Sequence, residues 1–262
     1  MHVSIFAVAR WVVRALGCAI VLNLAAPRAD ALLLLATVRD FKIEHPDFEG
    51  GISGVVTGLV GSTLPADKNP VFVAAPGSGA ITEASTFAEW YKDVPGVNLA
   101  TPLMLDLVET APGSGAYAYH SDSFFPIDDM LFGNEGLWHN FHLTLELHTT
   151  FTYVPGQTFS FVGDDDVWVY IDNELVVDLG GVHGAAAGGV DLDTLGLTAG
   201  ERYDFDFLFA ERHTTESTFH IETGIVFDPN VPAVPEPGGA VASAPGIGAA
   251  ALLLRRRSAG GR

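Results

Sequence analysis

The chain has 262 residues, 48% of them hydrophobic, with 32 Asp and Glu against 13 Lys and Arg and a formal net charge of −19. That length buries one sizeable core or two small ones, and so acidic a surface repels phosphate backbones, which sets nucleic acid aside as a partner. A single cysteine, Cys18, leaves no disulfide framework, and abundant glycine between short apolar runs points to an all-β architecture.

At the start, Arg10 and Arg14 precede an apolar stretch over 15–24, and Ala29-Asp30-Ala31 offers a small-residue cleavage site. This is the outline of a secretory signal peptide over 1–31. If Cys18 leaves with it, the exported domain has no thiol chemistry and needs another staple, for which bound metal is a candidate. Between 32 and 232 the chain carries 30 Asp and Glu against 6 Lys and Arg, a net of −24 that attracts divalent cations.

A β-rich apolar run over 32–38 leads to Arg39-Asp40-Phe41 and His45-Pro46-Asp47-Phe48. Residues 55–60 predict a strand, and 62–70, with two prolines, a loop. The spacing predicts a helix over 82–94, with Thr86 and Glu89 as a capping box and Phe87, Trp90, Tyr91 and Val94 on one core-facing side. Strands follow over 103–109 and 117–120. In the next loop Asp128, Asp129 and Asn134 are oxygen donors that either reach a metal or ligand from the side or decorate a solvated turn. Over 138–150, Phe141, Leu143, Leu145 and Leu147 alternate with His142, Thr144, Glu146 and His148, which predicts one buried and one wet face. His139, His142 and His148 then lie on the exposed side, and with no HExxH and no Cys partner they do not read as a zinc site.

After an apolar run over 158–162 come Asp164, Asp165 and Asp166, then a strand over 167–171 with Val167, Val169 and Ile171 on one side and Trp168 and Tyr170 on the other. Asp172, Asn173 and Glu174 suit a tight turn into a return strand over 175–179. Three adjacent carboxylates repel one another and raise each other's pKa unless a positive charge sits among them. Hard oxygens at short spacing are what Ca2+ takes, about six to eight at a time. A strand over 203–209 carries Asp204 and Asp206 outward. Glu211 and Arg212 pair with each other or with the aspartates, and His183 and His213 either line the same pocket or serve as core and capping groups. Residues 218–227 supply the last strand.

The stretch GDDDVWVYIDNELVVDLGGVH over 163–183 closely resembles the signature of the fibro-slime domain, a relative of the protective-antigen-type β-sandwich also found in yeast flocculins and some glycosidase inserts. Further blocks agree: RDF and HPDFE near the start, Trp90-Tyr91 before Val94-Pro95-Gly96-Val97-Asn98, FFPID and FGN over 124–134, and AERHTT over 210–215. The match runs from Arg39 to Phe227. The resemblance implies an all-β lectin-like β-sandwich with one short helix. It also implies a Ca2+ ion held by two adjacent aspartates joined through a cis peptide, an ion that in the lectin members touches sugar hydroxyls. Asp164 and Asp165 match that pair, while Asp166 stands where the wider family usually has Gly.

The expected metal ligands are therefore Asp164, Asp165 and Asp166. The expected ligand-binding residues are Asp128, Asn134, Trp168, His183, Glu211, Arg212 and His213, with Trp168 divided between stacking on a sugar and filling the sandwich core.

At the far end Val234-Pro235-Glu236-Pro237, a small-residue apolar run over 238–254 and Arg255, Arg256 and Arg257 together resemble the PEP-CTERM sorting signal of Gram-negative bacteria, which an exosortase removes. The run reaches roughly 25 Å against a hydrocarbon core of roughly 30 Å, which suits a transient inner-membrane anchor. The organisation is then a signal peptide over 1–31, one domain over 32–230 and a sorting tail over 231–262. The expectation is a non-catalytic exported protein of a Gram-negative cell surface or extracellular matrix that binds Ca2+ and, through it, carbohydrate or exopolysaccharide. The alternative is a structural surface protein with a stabilising metal. A glycoside hydrolase ranks below both, because general acid–base cleavage needs two carboxylates facing each other across a bond, which sequence does not show, and no G-x-S-x-G, HExxH or phosphate loop is present.

Overall fold

Alternating apolar residues build ten antiparallel strands in the computed structural model, which describes residues 31–228. They are β1 (Ala31–Phe41), β2 (Asn98–Glu109), β3 (Tyr117–Ser121), β4 (Leu143–Thr152), β5 (Thr158–Gly163), β6 (Asp166–Ile171), β7 (Glu174–Leu179), β8 (Ala186–Asp191), β9 (Arg202–Glu211) and β10 (Phe219–Thr223). Hydrogen bonds link them in the order β7-β6-β9-β4-β1-β2-β3-β10-β5-β8. The sheet folds back on itself, so that Phe207 of β9 meets Phe161 of β5 and Phe219 of β10 at ring separations of 5.5 and 5.6 Å. The two layers enclose Val38, Leu105, Leu145, Phe161, Val169, Phe207 and Phe219 among others, side chains each worth about 1.5–3 kcal/mol on burial. The architecture is the expected β-sandwich. The β6–β7 hairpin turns through Asp172 and Asn173, with φ of 51° and 65°, the two left-handed residues of a tight hairpin turn.

The segment between β1 and β2 adds a third layer. Leu59, Val60, Ile81, Phe87 and Trp90 pack on Trp168 and Tyr170 of β6 and on Leu208 and Ala210 of β9. Both faces of β6 are therefore dry: Val167, Val169 and Ile171 fill the sandwich, and Trp168 and Tyr170 fill the outer interface. Tyr170 Oη donates to Gly61 O at 3.0 Å, and Thr144 Oγ1 donates to Trp90 O at 2.6 Å, so polar groups in this interface are paired as burial requires.

That layer changes four expectations. The helix α1 spans only Ala84–Phe87, capped by a Glu83/Thr86 box rather than Thr86/Glu89. The carbonyls of Glu89 and Lys92 are taken by the Asn98 side chain at 3.0 and 2.8 Å, and that of Trp90 by Thr144, so no later N–H closes a longer helix on them. Residues 55–60 form no strand: Val60 makes a single bridge to Phe72, while Val56 N–H donates to Gly180 O. The side of β4 expected to be wet is largely covered, with Thr144 buried and His142, just before the strand, also buried, close to Glu49 Oε1 at 2.9 Å. Asp206 lies on the outer side of β9, as expected, but is covered there rather than wet, holding Lys68 Nζ at 2.9 Å and His148 Nδ1 at 2.7 Å. Burial opposes the charge on His148, but its hydrogen bonds to Asp206 and Glu146 outweigh it and lift the pKa to about 9.

The proposed signal peptide, sorting tail and anchor lie outside the described residues, apart from Ala31, the first residue of β1. Among the described residues no helix is long and apolar enough to cross a membrane.

Candidate acidic site at the strand ends

Four strand ends meet at one pole of the sandwich. β5 pairs with β10 through Gly163 and Phe219, and β6 pairs with β9 through Asp166 and Ala210. The link from β5 to β6 is Asp164 and Asp165, joined by a cis peptide bond. Gly163 is required just before them, since a Cβ there would lie 2.3 Å from Thr218 O.

Each aspartate is fixed by backbone donors. Thr218 N–H donates to Asp164 Oδ1 at 2.5 Å. Asp165 accepts from His183 N–H at 3.1 Å and Arg212 N–H at 2.8 Å. Glu211, the last residue of β9, accepts from His213 N–H through Oε1 at 3.3 Å, while its Oε2 is buried without a hydrogen-bond partner. Asp164, Asp165, Glu211, His183, His213 and Glu216 line a cavity of about 90 Å³.

The electrostatics follow from that crowding. Burial pushes Asp165 up to about 7, with the Arg212 charge opposing and the Asp166 charge adding to the rise. Burial and, more weakly, Glu216 raise Asp164. Glu211 is raised well above the usual carboxylate range, first by burial and then by the charges of Asp165 and Asp164. Three carboxyl groups that resist ionising together are what a cation relieves.

Asp166 does not join them. On a strand successive side chains alternate, and Asp166 turns to the outer interface, where Oδ1 accepts from Gly181 N–H at 2.6 Å and Oδ2 from Arg212 Nε at 2.5 Å. Arg212 is likewise withdrawn from any ligand. Its guanidinium is fully buried, lies 4.8 Å from the Trp90 ring and donates to the carbonyls of Asp47, Gly79 and Ala80, so it pins the third layer to β6. Trp168 is also fully buried, with Nε1 donating to Asp178 Oδ1 at 3.0 Å, and has no face to offer a sugar.

Asp128 and Asn134 shape their own loop. Asp128 accepts from Asn140 N–H at 2.7 Å and pairs with His139 Nδ1 at 2.6 Å, and Asn134 Oδ1 accepts from Asp129 N–H at 2.7 Å. His183 and His213 do reach the pocket. The His183 ring nitrogens face Gly184 O and Leu179 O at 2.9 and 3.1 Å, while His213 Nδ1 is buried without a partner. Sequence reasoning missed Thr215 and Glu216, whose signal was their place in the short connection between two strands ending at this pole.

Among the described residues no group of three or more His, Cys, Asp or Glu side chains is placed to hold a metal ion. The chemistry of the residues is nevertheless that of a hard-cation site: Asp164, Asp165 and Glu211 line one cavity, and Glu211 Oε2 is buried there without a hydrogen-bond partner.

Fold and site together define a β-sandwich with an acidic pocket at one pole. Residues 144–229 match the sequence model of the PA14 domain. Two proteins of Dictyostelium discoideum are similar over most of this chain: psiQ, 45% identical over 199 residues (71% of this chain, 20% of psiQ), and psiD, 43% identical over 216 residues (76% of this chain, 42% of psiD). The chain thus spans between a fifth and about two fifths of the length of these relatives. Among solved structures, a PA14 sugar-binding domain from an RTX adhesin aligns at 11% identity over 75% of this chain and 94% of that one, with a TM-score of 0.32.

Proposed function

We propose that this protein is a non-catalytic binding module that takes Ca2+ at Asp164 and Asp165, with Glu211 as a third carboxylate, and carbohydrate through that ion. The observation that carries this is Glu211 Oε2, buried and unpartnered against two further buried carboxylates. An uncompensated arrangement of this kind is costly, and a bound cation converts it into a stabilising one. When bound, the ion supplies open coordination positions that vicinal sugar hydroxyls can fill. The protein's own groups hold the two aspartates at fixed angles through Thr218, His183 and Arg212. The PA14 match and the fibro-slime signature over 163–183 support the carbohydrate reading. Export by the leader over 1–31 and exosortase sorting by the tail over 231–262 complete the reading, with the mature protein at the cell surface or in the extracellular matrix.

A second reading rests on the burial of Asp164 and Asp165, 4% and 3% exposed: the ion serves only to hold the loops together. Calorimetric Ca2+ titration of the full-length protein, with a glycan array probed in Ca2+ and in chelator, separates the two. Ca2+ binding with calcium-dependent glycan capture, both lost in an Asp164→Ala, Asp165→Ala double variant, supports the lectin reading. Ca2+ binding without capture leaves the structural ion, and no Ca2+ binding removes both.

A further inference from the structure

We propose that the groove beside the acidic cavity is a second saccharide subsite, so that the ligand is an oligosaccharide or polysaccharide chain rather than a single sugar. The inference rests on the carbohydrate reading above and adds where the rings lie. The acidic cavity, at about 90 Å³, is ion-sized, well below the roughly 300–1,000 Å³ of small-molecule sites. Next to it lies a groove of about 390 Å³ that shares Thr215 and Glu216 as lining. An ion in the first and a sugar ring in the second would be neighbours across a common rim.

The groove wall is aromatic. Phe125 and His139 stack with centroids 3.9 Å apart and planes 3° from parallel, and Phe141 meets both edge-on. His139 is held by Asp128 Oδ2 at 2.6 Å, yet its side chain remains 43% exposed. Flat rings with negative faces suit the C–H face of a pyranose, and a wall fixed in advance gives up little entropy on binding. Hydroxyl partners stand on the rim: Asp122 holds His220 Nε2 through Oδ1 at 2.7 Å and turns the rest of its carboxylate to solvent, and Glu216 is exposed. Trp138, immediately before His139, is 91% exposed and extends the apolar surface of this loop.

The test uses the full-length protein in Ca2+ with gluco-, galacto- and manno-oligosaccharides from monosaccharide to hexasaccharide, measured by calorimetry for the wild type, Phe125→Leu and Phe125→Tyr. Affinity is expected to rise at least about tenfold between the monosaccharide and the longer chains of one series. Phe125→Leu, checked for an unchanged unfolding midpoint, should flatten that rise without altering Ca2+ binding, and Phe125→Tyr should restore it. No dependence on chain length in the wild type, or a dependence that survives Phe125→Leu, overturns the subsite and leaves the calcium-linked sugar site standing. Failure of every saccharide to bind overturns both.

Discussion

Replacing Glu211 by Gln should raise stability without calcium and shrink the stability gained from calcium. The amide keeps the shape of the side chain and an oxygen for His213 N–H, but its NH2 can donate to the carboxylates that Glu211 now repels. Converting an unpaired buried group into a hydrogen-bonded one is worth about 1–3 kcal/mol, so in chelator the variant should unfold later than the wild type. A folded domain of this size moves by about 2–4 °C per kcal/mol, giving a gain of roughly 2–12 °C. Calcium at about a hundred times its dissociation constant adds roughly 2.7 kcal/mol to the wild type, while the variant, short of one anionic ligand, should keep less than half of that gain. Calorimetric unfolding of both proteins in chelator and in excess calcium reads all four midpoints. A variant less stable than the wild type in chelator, or one with an undiminished calcium gain, would refute the role given to Glu211.

Two further outcomes follow from the same charges. In chelator, the raised pKa of Asp165, about 7 against an ordinary 3.8, means that the folded state binds its proton more tightly than the unfolded state does. The associated stability is complete below about pH 4 and falls as pH rises through about 7, by up to about 4 kcal/mol, and Asp40, raised to about 6 chiefly by burial, adds a loss of the same sign. Unfolding midpoints measured from pH 4 to pH 8 should therefore decline in chelator and decline less in excess calcium, since the ion displaces the Asp165 proton but leaves Asp40 untouched; a midpoint that climbs over this range in chelator contradicts the burial argument. Arg212→Met should cost about 3–5 kcal/mol by leaving Asp166 charged and unpaired in the interior. Adding Asp166→Asn should recover part of that loss in chemical denaturation, and a single-variant cost under about 1 kcal/mol would mean that the pair is not isolated from solvent.

What the sequence determined by itself is the part of the structure set by neighbours along the chain. Alternation over 167–171 assigned Val167, Val169 and Ile171 to one side and Trp168 and Tyr170 to the other, and the Asp172-Asn173 turn fixed the hairpin. The adjacent pair Asp164 and Asp165 was legible for the same reason, because two carboxylates next to each other at a strand end stay together in any fold. Alternation cannot say what covers each side. Only the tertiary structure supplied the third layer that buries Trp168, Thr144 and His142, and with it the diversion of Asp166 to Arg212, 46 residues further along. The same long-range pairing of β6 with β9 brings Glu211 to face Asp164 and Asp165. Side-chain direction is a local property of the backbone, whereas burial and charge partners are set by whichever distant segment packs alongside.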